Sequence, residues 1–304
     1  MQGGRRTDRS SDRQAAVTSC FLVSDLHGRK EAYQALFRAI SEERPRLVFV
    51  GGDLLPAALS LSLYGPEDFV CGFMREKLGR LREVLAESFP SICLILGNDD
   101  VRAAEPAMLD LERDGLVRYM HNRKTLLGGY WIYGYACVPP SPFLLKDWER
   151  YDVSRFTDPG CIPPEEGEFT FPVDRDEVAR STISNELSLL TRDATLDRAV
   201  FLFHAPPYLT VLDRADLDRV KVDGVPLDVH VGSIAIRDLI ESRQPMLTMH
   251  GHAHESAKLT GNWRDRIGRT HLFSAAHDGP ELALIRFDLE ALDQATRRLM
   301  PVQN

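Results

Sequence analysis

The chain has 304 residues, five cysteines and a formal net charge of -8. This length can bury a substantial core in one large domain, and the acidic balance without a basic stripe excludes a phosphate-contacting surface for long nucleic acids. The cysteines are scattered and contain no CxxC pair, which excludes a zinc finger and a disulfide framework. Such cysteine use is typical of a reducing compartment, so we expect a cytoplasmic protein.

The N-terminal segment carries no apolar stretch. Only polar residues and two alanines lie between Arg6 and Val17, whereas a signal peptide needs an apolar segment at this point. No apolar run approaches the roughly 20 residues of a membrane-spanning helix, so we expect no membrane association. We predict a disordered tail over residues 1–16 and a single domain over residues 17–304.

The first third of the chain alternates apolar runs with amphipathic stretches. The runs are Cys20–Val23, Leu47–Val50 and Ile92–Leu96, and the stretches are Ala32–Ile40, which stops before Pro45, and about 67–87. Short apolar runs bounded by turn residues are typical of buried strands, and apolar residues at helical spacing are typical of surface helices. The order strand, helix, strand, helix, strand predicts a largely parallel sheet.

The middle of the chain has a different pattern. Val117–Leu127 and Tyr130–Ala136 flank Gly128-Gly129, which predicts a β-hairpin. The stretch 138–173 that follows contains seven prolines and several aromatic residues. Long irregular loops are usually functional or disordered, and this aromatic content argues against disorder. We therefore expect a cap-like insertion at 138–173, over or beside a site; a packed surface loop without substrate contact is the alternative.

In the last third of the chain, predicted helices and strands alternate again, and two shorter predicted strands follow. A helix near 176–192 precedes a strand at Val200–Phe203, and a helix capped by Ser233 precedes a strand at Met246–Met249. Shorter strands are predicted near Thr270–Ala275 and Leu282–Phe287. The whole order predicts an α/β fold in which two packed mixed β-sheets are flanked by helices.

Five of the predicted strands end in residues that bind metals. Their endings are Ser24-Asp25-Leu26-His27, Gly51-Gly52-Asp53, Gly97-Asn98-Asp99-Asp100, His204, and His250-Gly251-His252-Ala253-His254. Ligand sites in layered α/β folds gather at the carboxyl ends of strands. Five such endings indicate one site that the fold assembles.

The candidate ligands are of two chemical kinds. They are the oxygen ligands Asp25, Asp53 and Asn98, and the imidazole ligands His27, His204, His252 and His254. This mixture suits manganese, iron or zinc, and seven residues exceed the needs of one ion. A bridging carboxylate would make two four-ligand sets. Two cations about 3.5–4 Å apart lower the pKa of a bridging water, and the resulting hydroxide attacks a phosphate in line.

The order Asp-x-His, Gly-Asp, Gly-Asn-x-Asp, His, Gly-His-x-His, running from Asp25 to His254, resembles the calcineurin-like metallophosphoesterase superfamily. The resemblance implies a four-layer α-β-β-α sandwich. It implies that one metal is bound by Asp25, His27, Asp53 and His254, and the other by Asp53, Asn98, His204 and His252. Asp53 would bridge the two metals.

The third motif departs from the pattern of the family. It reads Gly97-Asn98-Asp99-Asp100, where most relatives have a histidine after the asparagine. That histidine would lie beside the substrate. Asp99 could act as a general acid only if its neighbours raised its pKa, and two cations would oppose this. Asp100 is expected to orient neighbouring groups.

Four further histidines have to be interpreted. His230 and His277 lie in loops and could take the role of the missing histidine, although lone loop histidines are usually solvated or structural. His250 is expected to hydrogen-bond a ligand carboxylate behind the metals. His121 is interpreted as a surface residue.

The leading functional hypothesis is a two-metal hydrolase that cleaves a phosphomonoester or phosphodiester of a small substrate. A nucleotide is one possible substrate, because Phe143 or Trp148 of the insertion could stack on a base. The alternative is a metal-binding scaffold with little or no catalytic activity that serves protein interaction. Its support is the replacement of the motif histidine by Asp99.

Overall fold

The predicted apolar runs form the central strands of two β-sheets in the structure, a computed structural model that describes residues 19–56, 68–192, 194–222 and 224–302. The predicted tail at 1–16 lies outside the described residues. In chain order the strands are β1 (Ser19–Val23), β2 (Leu47–Gly51), β3 (Ser91–Ile95), β4 (Arg118–Tyr119), β5 (Arg123–Leu127), β6 (Tyr130–Tyr135), β7 (Ala199–Phe203), β8 (Lys221–Val222), β9 (Val225–Pro226), β10 (Leu247–His250), β11 (Arg264–Ile267), β12 (Thr270–Ser274), β13 (Leu282–Asp288) and β14 (Thr296–Met300).

The helices follow the predicted amphipathic stretches. They are α1 (Lys30–Glu43), α2 (Arg75–Leu85), α3 (Glu105–Arg113), α4 (Arg175–Arg180), α5 (Ile183–Leu190), α6 (Ile234–Arg243) and α7 (Ser256–Thr260), with a π-helical segment at Asp68–Met74 and 3-10 turns at Ala86–Ser88, Arg102–Ala104, Pro164–Glu166 and Leu292–Gln294. The side chain of Ser233 caps α6 as predicted, because it accepts the Ile236 N–H. Among the described residues, no helix combines the length and the apolar content that crossing a membrane requires.

The two larger sheets have six strands each and are mixed. The first has the order β14-β13-β1-β2-β3-β4. Strands β1 to β4 run parallel to one another, β13 pairs antiparallel with β1, and β14 pairs antiparallel with β13. The second has the order β11-β12-β10-β7-β6-β5, with parallel β12, β10, β7 and β6 between two antiparallel edge strands. The predicted fold class, two mixed sheets flanked by helices, is confirmed.

One hydrophobic core joins the two sheets and the inner faces of the helices. Every residue of β2 and of β7 is buried, which explains why these strands read as continuous apolar runs rather than alternating ones. Helix α1 buries one apolar stripe that includes Leu36 and Ile40. It ends at Arg44, whose left-handed conformation precedes Pro45 and whose N–H donates to the Ile40 carbonyl.

The predicted strand Val117–Leu127 is wrong as a single element. Its first part, β4, pairs in parallel with β3 in the first sheet, whereas its second part, β5, forms the predicted hairpin with β6 in the second sheet. The chain crosses between the sheets around Asn122, which has a positive φ of 51°. An apolar pattern gives no information about which sheet a strand joins, so this crossing was invisible in the sequence.

Two predicted helices are also less regular than expected. The helix predicted at 176–192 is interrupted, because Ser181 is extended and Thr182 begins a new helix by accepting the Asn185 N–H. The stretch predicted at 67–87 starts as a π-helix before it becomes α2. Helical periodicity survives a short interruption of this kind, which explains why the sequence showed one element in each case.

The segment 138–173 is irregular but fixed by buried charges. Lys146 and Glu149 are fully buried, and the Lys146 Nζ donates to a Glu149 carboxylate oxygen at 2.5 Å and to the Ser141 carbonyl at 2.7 Å. Asp147, also fully buried, accepts the Arg102 N–H at 2.7 Å, just after the third motif. The segment is therefore bonded to the loop that follows β3; a role as a cap stays a prediction.

The two aromatic residues proposed for stacking have different environments. Trp148 is fully buried, with its ring edge-on to His121 and the Arg102 guanidinium over its face. It is therefore not available to a ligand, and the prediction is wrong for this residue. Phe143 is 62% exposed and remains available.

Replacing Lys146 by methionine tests the buried ion pair. The substitution leaves the Glu149 carboxylate buried without its cation, so we expect the free energy of unfolding to fall by about 3 kcal/mol or more. Lys77→Met is the matched control, because Lys77 is partly exposed and its pairing with Glu76 should contribute less than about 1 kcal/mol. Urea unfolding of both variants measures the difference, and equal losses would contradict this role of Lys146.

Candidate metal centre

The ends of parallel strands bring the predicted ligands to one edge of the two sheets. In the first sheet β1, β2 and β3 are neighbours, and in the second β7 and β10 are neighbours. Two hydrogen bonds join the sheets at this edge: the His252 N–H donates to Asp25 Oδ1 at 3.0 Å, and His204 Nδ1 lies 2.7 Å from the Gly51 carbonyl. The site is thus formed between the sheets, and neither sheet contains it alone.

One group of four residues forms around Asp25. One potential ligand atom each of Asp25, His27, Asp53 and His254 lies within 4.8 Å of the others. The Nε2 atoms of His27 and His254 are 3.3 Å apart, and the His254 Nε2 is 3.2 Å from Asp25 Oδ1. These are the residues predicted to bind the first metal.

A second group forms around Asn98. Its side-chain oxygen Oδ1 lies 3.0 Å from His204 Nε2 and 2.7 Å from His252 Nδ1. His204 Nε2 also lies 3.2 Å from Asp53 Oδ2, so Asp53 belongs to both groups. The structure therefore brings together all seven candidate ligands, with Asp53 in the shared position; that they bind metal stays a prediction.

The hydrogen bonds of His204 fix the direction of its lone pair. Because the Gly51 carbonyl can only accept, Nδ1 carries the proton that it donates. In a neutral ring Nε2 then has a lone pair directed at the oxygens of Asn98 and Asp53. Three electron-rich atoms cannot meet in this way unless a proton or a metal cation lies between them.

Protonated imidazoles compensate these carboxylates when no cation does so. Burial opposes the charged form of His204, but the nearby Asp53 carboxylate outweighs burial and raises the pKa of His204 to about 10. Burial likewise opposes a charged His254, but the hydrogen bond to Asp25 and the charges of Asp25 and Asp53 together outweigh it and raise the pKa of His254 to about 9. Burial, helped by the charge of His204, lowers the pKa of His252 to about 3. The carboxylates of Asp25 and Asp53 therefore require compensating positive charge.

The residues present fit divalent metal ions. Among the described residues, the Oδ2 atom of Asp25 is buried and has no hydrogen-bond partner. A buried carboxylate oxygen without a partner is costly, and a cation would satisfy it. The donor set of carboxylates, one amide oxygen and imidazoles matches the ligands that manganese, iron and zinc accept.

Four of the candidate ligands have a left-handed backbone. The φ angles are 58° at Asp25, 45° at His27, 53° at Asp53 and 71° at His252. Non-glycine residues adopt this conformation at a cost and mostly where the surroundings impose it, often at functional sites. Here the loops are paired, since the Asp25 N–H donates to the Gly52 carbonyl and the His27 N–H to the Asp53 carbonyl.

Glycines next to the ligands leave the space that the ligands occupy. A Cβ on Gly97 would lie 2.3 Å from Asp53 Oδ1, and one on Gly52 would lie 2.5 Å from His204 Nδ1. Gly52 also has a φ of +96°, which side chains rarely adopt. The sequence showed these glycines only as parts of motifs, and their packing against the ligands was not foreseen.

Asp100 connects the loops that carry the ligands. It is fully buried, and its carboxylate accepts the N–H groups of Leu54, Leu55 and Gly97 at 2.7–3.0 Å. Burial and the charge of Asp53 raise the pKa of Asp100 to about 7. This geometry agrees with the predicted orienting role.

Asp99 lies at the accessible side of the site, and its side chain is 49% exposed. Its backbone N–H donates to Asp53 Oδ1 at 2.9 Å, and its carboxylate lies 3.8 Å from His27 Nδ1. Burial and the charge of Asp53 raise the pKa of Asp99. The backbone of Asp99 thus helps to fix Asp53, while its carboxylate faces the first group of ligands.

Two histidine interpretations are wrong. His250 binds no carboxylate, because its ring nitrogens lie 2.9 Å from the Ala205 carbonyl and 2.8 Å from Thr248 Oγ1. His121 is half-buried rather than exposed: its ring accepts the Ala136 N–H, and burial lowers its pKa to about 3. Both histidines follow or end strands, and a sequence gives no sign of the partners of their rings.

The two loop histidines lie outside both groups of ligands. His230 Nδ1 is 2.8 Å from Asp213 Oδ1, and His277 Nε2 is 3.1 Å from Glu281 Oε2. Each is therefore held by a carboxylate of its own, and any contact with a substrate stays a prediction.

Substituting Gly97 by alanine tests the close packing around Asp53. The new Cβ would displace the Asp53 carboxylate, so we expect the affinity for zinc or manganese to fall by about 10-fold or more. Gly79→Ala is the control, because nothing lies within 4 Å of its added Cβ. Metal content after dialysis measures the effect, and full occupancy in Gly97→Ala would contradict it.

Metal binding should release protons. At pH 7.5 both His204 and His254 are protonated in the metal-free protein, because their pKa values of about 10 and 9 lie above this pH. Ligation through Nε2 displaces one proton from each ring, so the affinity should rise with pH up to about 10, the higher of the two pKa values. Calorimetric titration with zinc in two buffers of different ionisation enthalpy measures the release. A binding enthalpy independent of the buffer would contradict the assignment.

Comparison with known proteins places this geometry in context. No protein-family model matches the chain. The uncharacterized protein MJ1162 of Methanocaldococcus jannaschii is 34% identical over 97 residues, which cover 31% of this chain and 38% of that protein. The chain thus matches well under half of the length of this relative.

Solved structures resemble the whole described fold. The crystal structure of TT1561 of Thermus thermophilus is 17% identical and covers 93% of this chain and 99% of its own, with a TM-score of 0.52. A dimetal phosphatase from Danio rerio is 11% identical over 94% of this chain and 99% of its own, with a TM-score of 0.49, too low to support an inference. At these identities the similarity extends to the fold alone, and the chain shares its two-sheet α/β sandwich with TT1561.

Proposed function

We propose that this protein is a two-metal phosphoesterase that hydrolyses a phosphate ester of a small substrate. The observation that supports this proposal is the convergence of two ligand groups on Asp53, which contacts His204 in one group and lies within the cluster of Asp25, His27 and His254 in the other. A single metal site would not need this shared carboxylate. Bound divalent cations would supply Lewis-acid stabilisation of the phosphate charge and an acidified water.

Hydrogen bonds within the chain would hold the metal ligands in position. The Asp99 N–H fixes Asp53, and the Gly51 carbonyl keeps the Nε2 atom of His204 free of a proton once a cation is bound. Asp100 locks the loops after β2 and β3 through three N–H groups. Such preorganisation lets a site act on developing charge without reorganising.

The surroundings favour a small substrate. The segment 138–173 is bonded to Arg102 and Ala103, two and three residues after Asp100, so it lies beside the loop that carries Asn98. Phe143 in this segment is exposed and could contact an apolar or aromatic leaving group. The net charge of -8 favours a compact phosphate ester over a polynucleotide. Manganese, iron and zinc are the candidate metals, since each accepts this donor set.

Asp53→Asn tests the proposal. The protein should hydrolyse p-nitrophenyl phosphate or bis-p-nitrophenyl phosphate with manganese, iron, zinc or nickel, and the substitution should lower kcat/KM by about 100-fold or more, because it removes the shared charge. Asp293→Asn is the matched control: Asp293 is 84% exposed, so activity should stay within about twofold.

The metal content of the same samples separates the alternatives. Binding of two metal ions per chain without hydrolysis of either ester would contradict the enzyme and favour the scaffold. Failure to bind any of the four metals would contradict the metal centre itself.

A further inference from the structure

His230 and Asp213 form a hydrogen-bonded pair outside the two ligand groups. His230 Nδ1 lies 2.8 Å from Asp213 Oδ1. Asp213 is fully buried and also accepts the N–H groups of Leu209 at 2.9 Å and Thr210 at 3.0 Å. A buried carboxylate with three donors cannot turn, so it fixes both the orientation of the imidazole and the proton on Nδ1.

The other ring nitrogen of His230 is available. Among the described residues, Nε2 has no hydrogen-bond partner, and the His230 side chain is 23% exposed. The rings of His230 and Tyr208 meet in a T-shaped contact, with their centroids 5.9 Å apart. This is the arrangement of an acid–base histidine, in which a third group orients one nitrogen and the other meets the substrate.

Hydrogen bonds connect this pair to the loop with two metal ligands. Arg214, the neighbour of Asp213, donates its N–H to Ser256 Oγ at 3.2 Å. Ser256 in turn donates its N–H to the carbonyl of Ala253 at 3.1 Å, and Ala253 stands between His252 and His254. The segment that carries Asp213 is therefore hydrogen-bonded to the first residue of α7, which follows the loop after β10.

A second connection leads to the ligand after β7. The Ser233 N–H donates to the Pro206 carbonyl at 2.8 Å, and Pro206 follows His204 by two residues. The segment from His230 to Ser233 is thus bonded to the segment that leaves His204. Both connections join the segments that carry the pair to the segments that follow β7 and β10, at whose ends candidate ligands lie.

The other histidines outside the ligand groups are less suitable. His277 has Nε2 at 3.1 Å from Glu281 and Nδ1 at 3.9 Å from Asp278, so both nitrogens face carboxylates. The ring nitrogens of His250 are used inside the core, and the half-buried His121 accepts the Ala136 N–H at Nδ1. His271 lies within β12, near its amino end and away from the ligand edge. Among the nine histidines, His230 alone combines a loop position at this edge with an available nitrogen.

We infer that His230, oriented by Asp213, is the proton donor to the leaving oxygen in the reaction proposed above. The inference rests on the proposed function. In it, His230 takes the role of the histidine that Asp99 replaces in the third motif. As the bond between phosphorus and the leaving oxygen breaks, that oxygen takes the electron pair and the Nε2 proton. The attacking water forms the new bond to phosphorus and loses its proton to solvent, from which His230 is protonated again. Asp213 is a positioning residue that retains its hydrogen bond throughout.

A series of leaving groups tests this role. The esters are phenyl, p-nitrophenyl and 2,4-dinitrophenyl phosphate, or the matching diesters if these are the better substrates. His230→Gln should lower kcat/KM by about 100-fold or more for the phenyl ester, which needs a proton, and by less than about threefold for the dinitrophenyl ester, which does not. Asp213→Asn should show the same trend with a smaller loss.

His277→Gln is the matched control, because it removes a second histidine held by a carboxylate. We expect it to lower the rates of all three esters equally or not at all. An equal loss for all esters in His230→Gln would reduce His230 to a structural role and overturn the inference. A dependence on the leaving group in His277→Gln would overturn it in favour of His277.

A second measurement does not depend on turnover. In the zinc-loaded protein, the ring resonances of His230 can be assigned by their loss in His230→Gln, and inorganic phosphate should shift them while leaving those of His271 unchanged. Shifts of the ligand histidines without a shift of His230 would overturn the inference. If the protein binds zinc but hydrolyses no ester, the proposed function fails, and a His230 shift with phosphate would still support its place beside the phosphate.

Discussion

The burial of two carboxylates, Asp25 and Asp53, at the ends of neighbouring parallel strands is the constraint on which the rest of the site depends. Both are 2% exposed, and one Asp25 oxygen has no partner among the described residues. Buried charge of this density is unfavourable unless positive charge compensates it. The raised pKa values of His204 and His254 are one response to that demand, and divalent cations are the other.

The strain of the backbone follows from the same constraint. Ligands that leave parallel strands point away from each other unless the loops turn sharply, and four of them turn through the left-handed region. Gly52 and Gly97 allow the loops to approach, and the carboxylate of Asp100 bonds them together. Loops that are hydrogen-bonded in this way hold the candidate ligands in fixed positions, as a preorganised site requires.

Much of the fold was predictable because its strands are buried on both faces. Runs such as Leu47–Val50 stand out against polar turns, and the residues after them carried the whole candidate ligand set. The errors were of another kind. The crossing of the chain between β4 and β5, the partners of His250 and the burial of Trp148 all depend on contacts between segments distant in sequence. Local pattern contains no information about such contacts.

The sequence by itself determined which residues are the candidate ligands, since residue type and position after a strand are local properties of the motifs from Asp25 to His254. Only the tertiary structure decided which groups meet. It brought Asp53 into contact with His204, and within the described part of the chain it left His230 Nε2 without a hydrogen-bond partner, whereas both ring nitrogens of His277 face carboxylates. The physical reason is that hydrogen-bond partners and burial depend on how two sheets pack, which brings together residues as distant in sequence as Asp25 and His254, 229 positions apart.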